Sequence, residues 1–210
     1  MRLGSDEMLV RCLRCQGTPV HLSLIAAIRA HLPALARLDA YELSTRGAVH
    51  AFLKAHCASL ASSEFLPDTP PGEAQEGIRN EDVQRLTFKD ASFDLCTSTE
   101  VFEHVPDDIA GFRELARVLR PGGWICLTVP VSAGPTTVQR AHLTPGGIEH
   151  ILPPSYHGDR LTGADTVLVY RDYGLDIVDR VKCSGFSIAR LWSPPVDFFG
   201  HARRVLVARR

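Results

Sequence analysis

The sequence predicts an α/β fold: a three-layer, doubly wound sheet that is mostly parallel and has an antiparallel C-terminal strand. Residues 93–101 and 124–131 are nearly all apolar, as in strands that are covered on both faces. Between them, residues 106–120 repeat apolar side chains at helical spacing. A strand, a helix and a second strand in this order form the repeating unit of a parallel sheet.

The helix of this unit has local signals at both of its ends. Pro106 suits a first helical turn, and an aspartate, Asp107 or Asp108, can cap the open N–H groups. Arg117 lies in the last turn, where a cation suits the helix dipole. We expect the Pro-Gly-Gly sequence at residues 121–123 to end the helix.

The remaining elements follow from the same periodicities. Helices are predicted at residues 19–35, 48–56 and 173–184. Strands are predicted at residues 38–43, 59–65, 166–170, 186–192 and 204–208, with a short one within residues 78–86. Residues 132–165 are rich in Gly, Pro and His and are expected to form a substrate lid or insertion. We therefore divide the chain into an N-terminal segment, residues 1–35, and a domain, residues 36–210.

The composition limits the class of partner. The 210 residues are 45% hydrophobic with a net charge of −1, which gives a nucleic-acid role no electrostatic support. Acidic residues outnumber basic ones by 12 to 3 across residues 61–110, which disfavours a phosphate-rich ligand there. The sequence has neither an apolar run of about 18 residues nor a signal peptide's apolar segment. We expect a cytoplasmic protein that binds no nucleic acid and no membrane, with its oligomeric state undetermined.

The six cysteines are scattered along the chain, and we expect them to be reduced thiols. Cys12 and Cys15 form a CxxC pair that is followed closely by a glycine, which is half of a zinc knuckle. A closed structural site needs four ligands, and no second CxxC pair follows. Plain thiols are therefore favoured over zinc, and no metal site is assigned.

Polar side chains are predicted at the carboxyl ends of successive strands. Glu42, Glu64 and Asp82 end the first three strands, and Ser98 and Thr99 end the fourth. In a doubly wound sheet these ends meet along one edge, outside which ligands bind. A carboxylate at that edge suits the ribose hydroxyls of a nucleoside, so the pattern predicts a nucleoside site.

The motifs between residues 80 and 131 resemble those of one known family in their order and spacing. They are Asp82-Val-Gln-Arg-Leu-Thr-Phe88, Asp90-Ala-Ser-Phe-Asp94, Glu103-His-Val-Pro-Asp107 and Arg117-Val-Leu-Arg-Pro-Gly-Gly123. The chain resembles the class I S-adenosylmethionine-dependent methyltransferases of the type 11 group, more weakly over residues 38–210. The resemblance implies a Rossmann-like sheet, S-adenosyl-L-methionine as the cofactor, and methyl transfer to a small-molecule, glycan or natural-product acceptor.

The resemblance also implies a role for each residue at the strand ends. Glu64 would bind the ribose hydroxyls. Asp82 would face the adenine amino group, with Val83 beside the ring. Ser98 and Thr99 would lie near the methionine part of the cofactor.

The first loop departs from the family pattern. The family usually carries several glycines after an acidic strand end, whereas only Gly47 remains in Tyr41-Glu-Leu-Ser-Thr-Arg-Gly47. Ser44 and Thr45 therefore place side chains where backbone normally approaches the cofactor. We still assign Glu42, Ser44 and Gly47 to the cofactor site. A non-catalytic binding module on the same fold and a different nucleoside-using transferase remain open as alternatives.

Histidines supply the candidates for proton transfer, because imidazole is the natural base near neutral pH. His104 would border the methyl-transfer site, and His157 is the second catalytic candidate. Glu103 is expected to anchor this loop through hydrogen bonds rather than to take part in chemistry.

Residues 149–159 follow the fifth strand, where the resembled family commonly builds its acceptor pocket. His150, Tyr156 and Tyr170 are predicted to contact the substrate, and Asp159 lies in the same polar cluster. Three interpretations of the segment stay open: a lid that carries a general base, an ordered structural loop, and a metal site. The spacing of the possible ligands is not diagnostic of a metal.

Overall fold

A computed structural model describes residues 10–158 and 167–210 of the protein. The helices are α1 (Pro19–His31), α2 (Gly47–His56), α3 (Asp108–Val118) and α4 (Ile177–Lys182), with 3-10 turns at Leu35–Arg37 and Phe102–His104. The strands are β1 (Asp39–Glu42), β2 (Ser59–Ser62), β3 (Ala74–Gln75), β4 (Ile78–Arg79), β5 (Phe93–Thr99), β6 (Leu119–Thr128), β7 (Val138–Gln139), β8 (Ala141–Thr144), β9 (Gly147–His150), β10 (Tyr156–His157), β11 (Val167–Leu168), β12 (Arg171–Asp172), β13 (Ile188–Trp192) and β14 (Val205–Arg209). No helix within the described residues is long and apolar enough to cross a membrane.

Six strands form the central sheet, in the order β13-β14-β6-β5-β1-β2. The four strands β2, β1, β5 and β6 are parallel, whereas β14 runs antiparallel to both β6 and β13. The chain leaves β1 toward β2 and returns to β5 on the other side of β1, so the strand order reverses there. The predicted doubly wound sheet is confirmed, and its switch point lies at the carboxyl ends of β1 and β5.

Helices cover both faces of this sheet and give the protein three layers. Buried residues of α1 and α2 pack on one face, and those of α3 and α4 pack on the other. Adjacent strand residues point into different cores: Leu95 lies beneath α1 and α2, and Cys96 lies beneath α3 and α4. This two-sided burial explains why β5 and β6 are apolar at successive positions.

A short strand lies within residues 78–86, as predicted, but it does not belong to the central sheet. Residues 78–79 form β4, which pairs with β3 in a separate hairpin, and the bridge of Glu64 with Asn80 is what aligns this segment with the sheet. The chain turns before a strand can extend, because the Asp82 carboxylate accepts a hydrogen bond from the Gln84 backbone N–H at 2.9 Å.

The ends of two helices differ from our expectations. As predicted, an aspartate caps α3: Asp107 accepts a hydrogen bond from the Ala110 N–H at 3.0 Å. Pro-Gly-Gly does not end this helix, which stops at Val118; β6 runs through residues 121–123, where Gly122 adopts a φ of +82° that favours glycine. The predicted helix at residues 173–184 begins only at Ile177, since Tyr173 bridges to the chain after β6.

Short antiparallel pairs follow β6 at the carboxyl edge of the sheet. Strand β7 pairs with β12, β8 with β9, and β10 with β11. Strands β7 to β10 lie in the described part of the predicted lid or insertion, and their partners β11 and β12 follow it; residues 159–165 lie outside the described residues.

Candidate functional site

Glu42, the last residue of β1, is buried at the switch point of the sheet. Its Oε2 atom accepts a hydrogen bond from the hydroxyl of Thr97 on the adjacent strand β5. Burial raises the pKa of Glu42 to about 8 despite this hydrogen bond, and the nearby charge of Glu64 raises it as well. The carboxyl group therefore titrates near neutral pH.

The loop between β1 and α2 is tied to Glu64, which lies just beyond β2. Oε1 of Glu64 accepts hydrogen bonds from the Thr45 N–H at 2.7 Å, the Thr45 hydroxyl at 2.8 Å and the Ser44 hydroxyl at 3.2 Å. Gly47 begins α2 with a φ of +91°, a conformation that L side chains rarely adopt. The serine and threonine that stand in place of glycines thus bind the acid that was predicted to hold ribose.

Asp82 and Val83 lie in the turn that follows β4. The Gln84 side-chain amide lies 3.0 Å from Oδ1 and 3.2 Å from Oδ2 of Asp82. Glu81 fixes the same turn by accepting hydrogen bonds from the N–H and hydroxyl of Thr87 at 2.8 and 2.5 Å. Val83 is buried in the core beneath α3. The turn is held rigidly beside the sheet edge.

Three buried hydroxyl groups lie at the carboxyl ends of β5 and β6. Those of Ser98, Thr99 and Thr128 have no hydrogen-bond partner among the residues that the structure describes. Thr99 and Thr128 are directly paired in the register of the two strands. The next residue, Glu100, has a φ of +52°, an uncommon backbone conformation for a residue with a side chain. Buried polar groups normally have hydrogen-bond partners, so these three hydroxyls are available to bind a ligand at this edge of the sheet.

His104 and His157, the two predicted catalytic histidines, meet around the carboxylate of Glu103. Oε1 of Glu103 lies 3.7 Å from Nε2 of His104 and 3.7 Å from Nδ1 of His157. The centroids of the two imidazole rings are 5.0 Å apart, and the ring planes are nearly perpendicular. Nδ1 of His104 lies 2.8 Å from the Leu168 carbonyl oxygen, so the neutral ring donates there and keeps its lone pair on Nε2.

The side chain of Glu103 does not anchor its loop through hydrogen bonds, contrary to our expectation. Neither of its carboxylate oxygens, both buried, has a hydrogen-bond partner in the described part of the chain. Burial, with the adjacent charge of Glu100, raises the pKa of Glu103 well above its usual range. The loop is anchored instead by another residue.

Arg171 performs this anchoring, a role that sequence reasoning did not assign to it. Its buried guanidinium donates to the carbonyl oxygens of Phe102 at 2.9 Å, Val105 at 2.6 Å and Pro106 at 2.5 Å. The first of these carbonyls comes directly before Glu103 and His104 in the sequence, and the other two come directly after them. The available signal was the run Tyr170-Arg-Asp-Tyr173, whose polar residues follow an apolar segment.

A second buried network holds the start of α3 beside this loop. Asp108 accepts hydrogen bonds from the Tyr173 hydroxyl at 2.9 Å and from Arg180, whose Nε and Nη2 atoms lie at 3.0 and 2.6 Å. The two parallel contacts of Arg180 with Asp108 pair their opposite charges and also fix the orientation of the carboxylate. The position of His104 is therefore supported from both ends of its loop.

Of the predicted substrate residues, two lie beside the histidine pair. The Tyr170 N–H donates to the carbonyl oxygen of Glu103 at 2.8 Å, and Tyr156 precedes His157 on β10 and is 50% exposed. His150 lies exposed at the end of the β8–β9 hairpin, opposite Ala141. Asp159 falls outside the described residues.

Comparison with known proteins identifies the domain. Residues 47–127 match a family model described as a methyltransferase domain. An uncharacterized methyltransferase of Mycobacterium sp. (strain KMS) is 39% identical over 89 residues, which are 42% of this chain and 33% of that relative. The match thus spans about a third of the relative's length.

Two solved structures share the fold. The 1,6-didemethyltoxoflavin-N1-methyltransferase of Burkholderia thailandensis, with bound 1,6-didemethyltoxoflavin and S-adenosylhomocysteine, has a TM-score of 0.57 at 18% identity and covers 91% of this chain and 78% of its own. An S-adenosylmethionine dependent methyltransferase of Mesorhizobium loti has a TM-score of 0.55 at 19% identity. The match covers 88% of this chain and 96% of that protein. The resemblance predicted from the motifs is confirmed: residues 47–127 match a methyltransferase domain, and the fold of the chain is shared with S-adenosylmethionine-dependent methyltransferases.

Proposed function

We propose that the protein transfers a methyl group from S-adenosylmethionine to a small-molecule acceptor. The observation that carries this proposal is that the buried hydroxyls of Ser98, Thr99 and Thr128, at the carboxyl ends of β5 and β6, have no partner within the described residues. The family match supports methyl transfer, and the Burkholderia enzyme supports a small acceptor because it holds 1,6-didemethyltoxoflavin.

The residues at the strand ends fit this cofactor. The three hydrogen bonds from the first loop all end on Oε1 of Glu64, which leaves Oε2 for the ribose hydroxyls. Oδ2 of Asp82, whose contact with Gln84 is long at 3.2 Å, would accept from the adenine amino group. The hydroxyls of Ser98 and Thr99 would gain their missing partners from the amino-acid part of the cofactor.

Methyl transfer requires that donor and acceptor are aligned and that the acceptor loses a proton. When bound, S-adenosylmethionine supplies a methyl group on a sulfonium whose sulfur keeps the electron pair of the broken C–S bond. The sheet edge would hold donor and acceptor in line. Nε2 of His104 is the first candidate to take the acceptor's proton, since Nδ1 already faces the Leu168 carbonyl; His157 is the second.

A non-catalytic binding module is the second candidate function. It is favoured by the occupied Oε1 atom of Glu64, because Ser44 and Thr45 satisfy the acid without any cofactor. Cofactor affinity separates this candidate from the enzyme.

The first test is calorimetric titration of the full chain with S-adenosylmethionine and with S-adenosylhomocysteine. We expect binding by the unmodified protein and a loss of about tenfold or more in Asp82→Ala, which is about 1.4 kcal/mol. Asp68→Ala is the matched control, because Asp68 is an exposed loop acid and its removal should leave affinity unchanged. A folded protein that binds neither compound would rule out the enzyme and favour the binding module.

A further inference from the structure

Glu103, His104 and His157 have the composition and spacing of a metal site. One ligand atom from each residue lies within 4.8 Å of the others, and the carboxylate oxygen is 3.7 Å from a nitrogen of each imidazole. Tetrahedral ligands at zinc bond lengths lie about 3.3 Å apart. Small side-chain rotations, mainly of the half-exposed His157, would therefore close the cluster around an ion.

A second and independent observation comes from the carboxylate itself. The side chain of Glu103 is 2% exposed, yet neither oxygen accepts a hydrogen bond from any described residue. The ionised form of a buried carboxyl group is costly unless a cation neutralises it, and otherwise the group takes up a proton. The charges of Arg203 and Arg171 already favour the ionised form of Glu103, and a bound metal ion would favour it further. An ion held between Glu103 and the two imidazoles would supply the partner that the carboxylate lacks.

The surroundings of His104 fit a ligand role. Its Nδ1–H donates to the Leu168 carbonyl oxygen at 2.8 Å, which fixes the tautomer and presents Nε2 to the cluster, as is usual for imidazoles that bind metals. Arg171 holds the backbone on both sides of Glu103 and His104, so two of the three ligands are positioned in advance.

We propose that Glu103, His104 and His157 bind a divalent transition metal such as Zn²⁺ and leave coordination positions open. Two imidazoles and one carboxylate are a ligand set that such ions accept, and three protein ligands with an open position are typical of catalytic rather than structural sites. The side chain of His157 is 45% exposed, which gives small molecules access to the ion.

The role of the metal rests on the proposed function. The open position would bind a hydroxyl oxygen of the acceptor and lower its pKa, so that the proton leaves to water while the new O–CH₃ bond forms and the donor's C–S bond breaks. This arrangement replaces direct proton transfer to the imidazoles. It selects acceptors with a hydroxyl group.

The test is titration of the chelator-treated full chain with ZnCl₂ by calorimetry, without cofactor. We expect one Zn²⁺ to bind, and Glu103→Gln and His157→Ala each to weaken it about tenfold or more. His56→Ala removes an exposed histidine at the end of α2, outside the cluster, and should leave affinity unchanged. The titrations are repeated with Cys12→Ser and Cys15→Ser in the background, since the CxxC thiols also attract zinc.

Either of two results would overturn the site: no Zn²⁺ binding in the cysteine-free background, or affinity there that Glu103→Gln and His157→Ala leave unchanged. Circular dichroism of each variant checks that it is folded. Because the titrations contain no cofactor, their result does not depend on whether the protein transfers methyl groups. Binding of S-adenosylmethionine without binding of Zn²⁺ would reject the metal site and keep the proposed function.

Discussion

Oε1 of Glu103 lies 3.7 Å from Nδ1 of His157, so a buried carboxylate beyond β5 faces an imidazole of the segment after β6. The contact depends on β10 pairing with β11, where Leu168 pairs with Tyr156 and offers its carbonyl oxygen to His104. Both predicted catalytic histidines are thus placed by one small strand pair.

Replacing Arg171 with Met should destabilise the fold. The change removes a buried guanidinium from three backbone carbonyls and leaves them without those donors. We expect a loss of about 2–4 kcal/mol in the free energy of unfolding, measured with urea. Arg113→Met, on the exposed face of α3, should stay within about 0.5 kcal/mol of the unmodified protein. Equal effects of the two substitutions would contradict the anchoring role.

Replacing Thr45 with Val should tighten cofactor binding while it lowers stability. The substitution removes the hydroxyl that donates to Glu64 Oε1 at 2.8 Å and keeps the backbone N–H donor. We expect about 1 kcal/mol less stability, and a lower calorimetric Kd for S-adenosylmethionine because a competing donor is gone. Ser44→Ala, which removes a longer hydrogen bond of 3.2 Å, should have a smaller effect. A higher Kd in Thr45→Val would mean that this hydroxyl belongs to the ribose-binding network.

Glu42 should make the protein less stable as the pH rises. Burial raises its folded pKa to about 8, above the unfolded value of about 4.3. Between these values the unfolded chain binds fewer protons, so this contribution is fully present below about pH 4.3 and is lost as the pH rises through about 8. The free energy of unfolding should fall by at most about 1.4 kcal/mol per pH unit from this group.

The measurement for Glu42 is urea unfolding between pH 5.5 and pH 8.5. Glu42→Gln should flatten the slope relative to the unmodified protein, because an amide can still accept from Thr97 without titrating. Glu73→Gln changes an exposed acid and should leave the slope as it was. Parallel curves for the unmodified protein and Glu42→Gln would show that Glu42 is ionised in both states.

Replacing Gly174 with Ala should also destabilise the protein. A Cβ at this position would lie 2.4 Å from the Thr136 backbone carbon, so the chain after β12 must shift. We expect a cost of about 2 kcal/mol or more, seen as a lower midpoint of urea unfolding. A Cβ at Gly146 would come no closer than 3.7 Å to its neighbours, so Gly146→Ala serves as the control. A Gly174→Ala variant as stable as this control would refute the close backbone approach.

Periodicity and local caps were enough to predict most elements of the sheet layers. Apolar runs predicted β5 and β6 because both faces of these strands are covered, and Asp107 marked the start of α3 because its carboxylate caps that helix locally. The same reasoning did not predict that the strand within residues 78–86 pairs outside the central sheet, or that residues 121–123 belong to β6. There the outcome depends on pairing with other strands, which neighbouring residues in the chain do not encode.

The fold class, the polar strand ends and the motifs that match a methyltransferase domain could be predicted from the residues alone, because they depend on local spacing. The contacts of Arg171 with the loop of His104, and of Glu103 with His157, could be seen only in the folded chain. These contacts join residues more than 50 positions apart, so they exist only after β10, β11 and β12 have been placed beside the sheet edge. Distance along the chain, rather than residue type, is the physical reason that this part of the site escaped prediction.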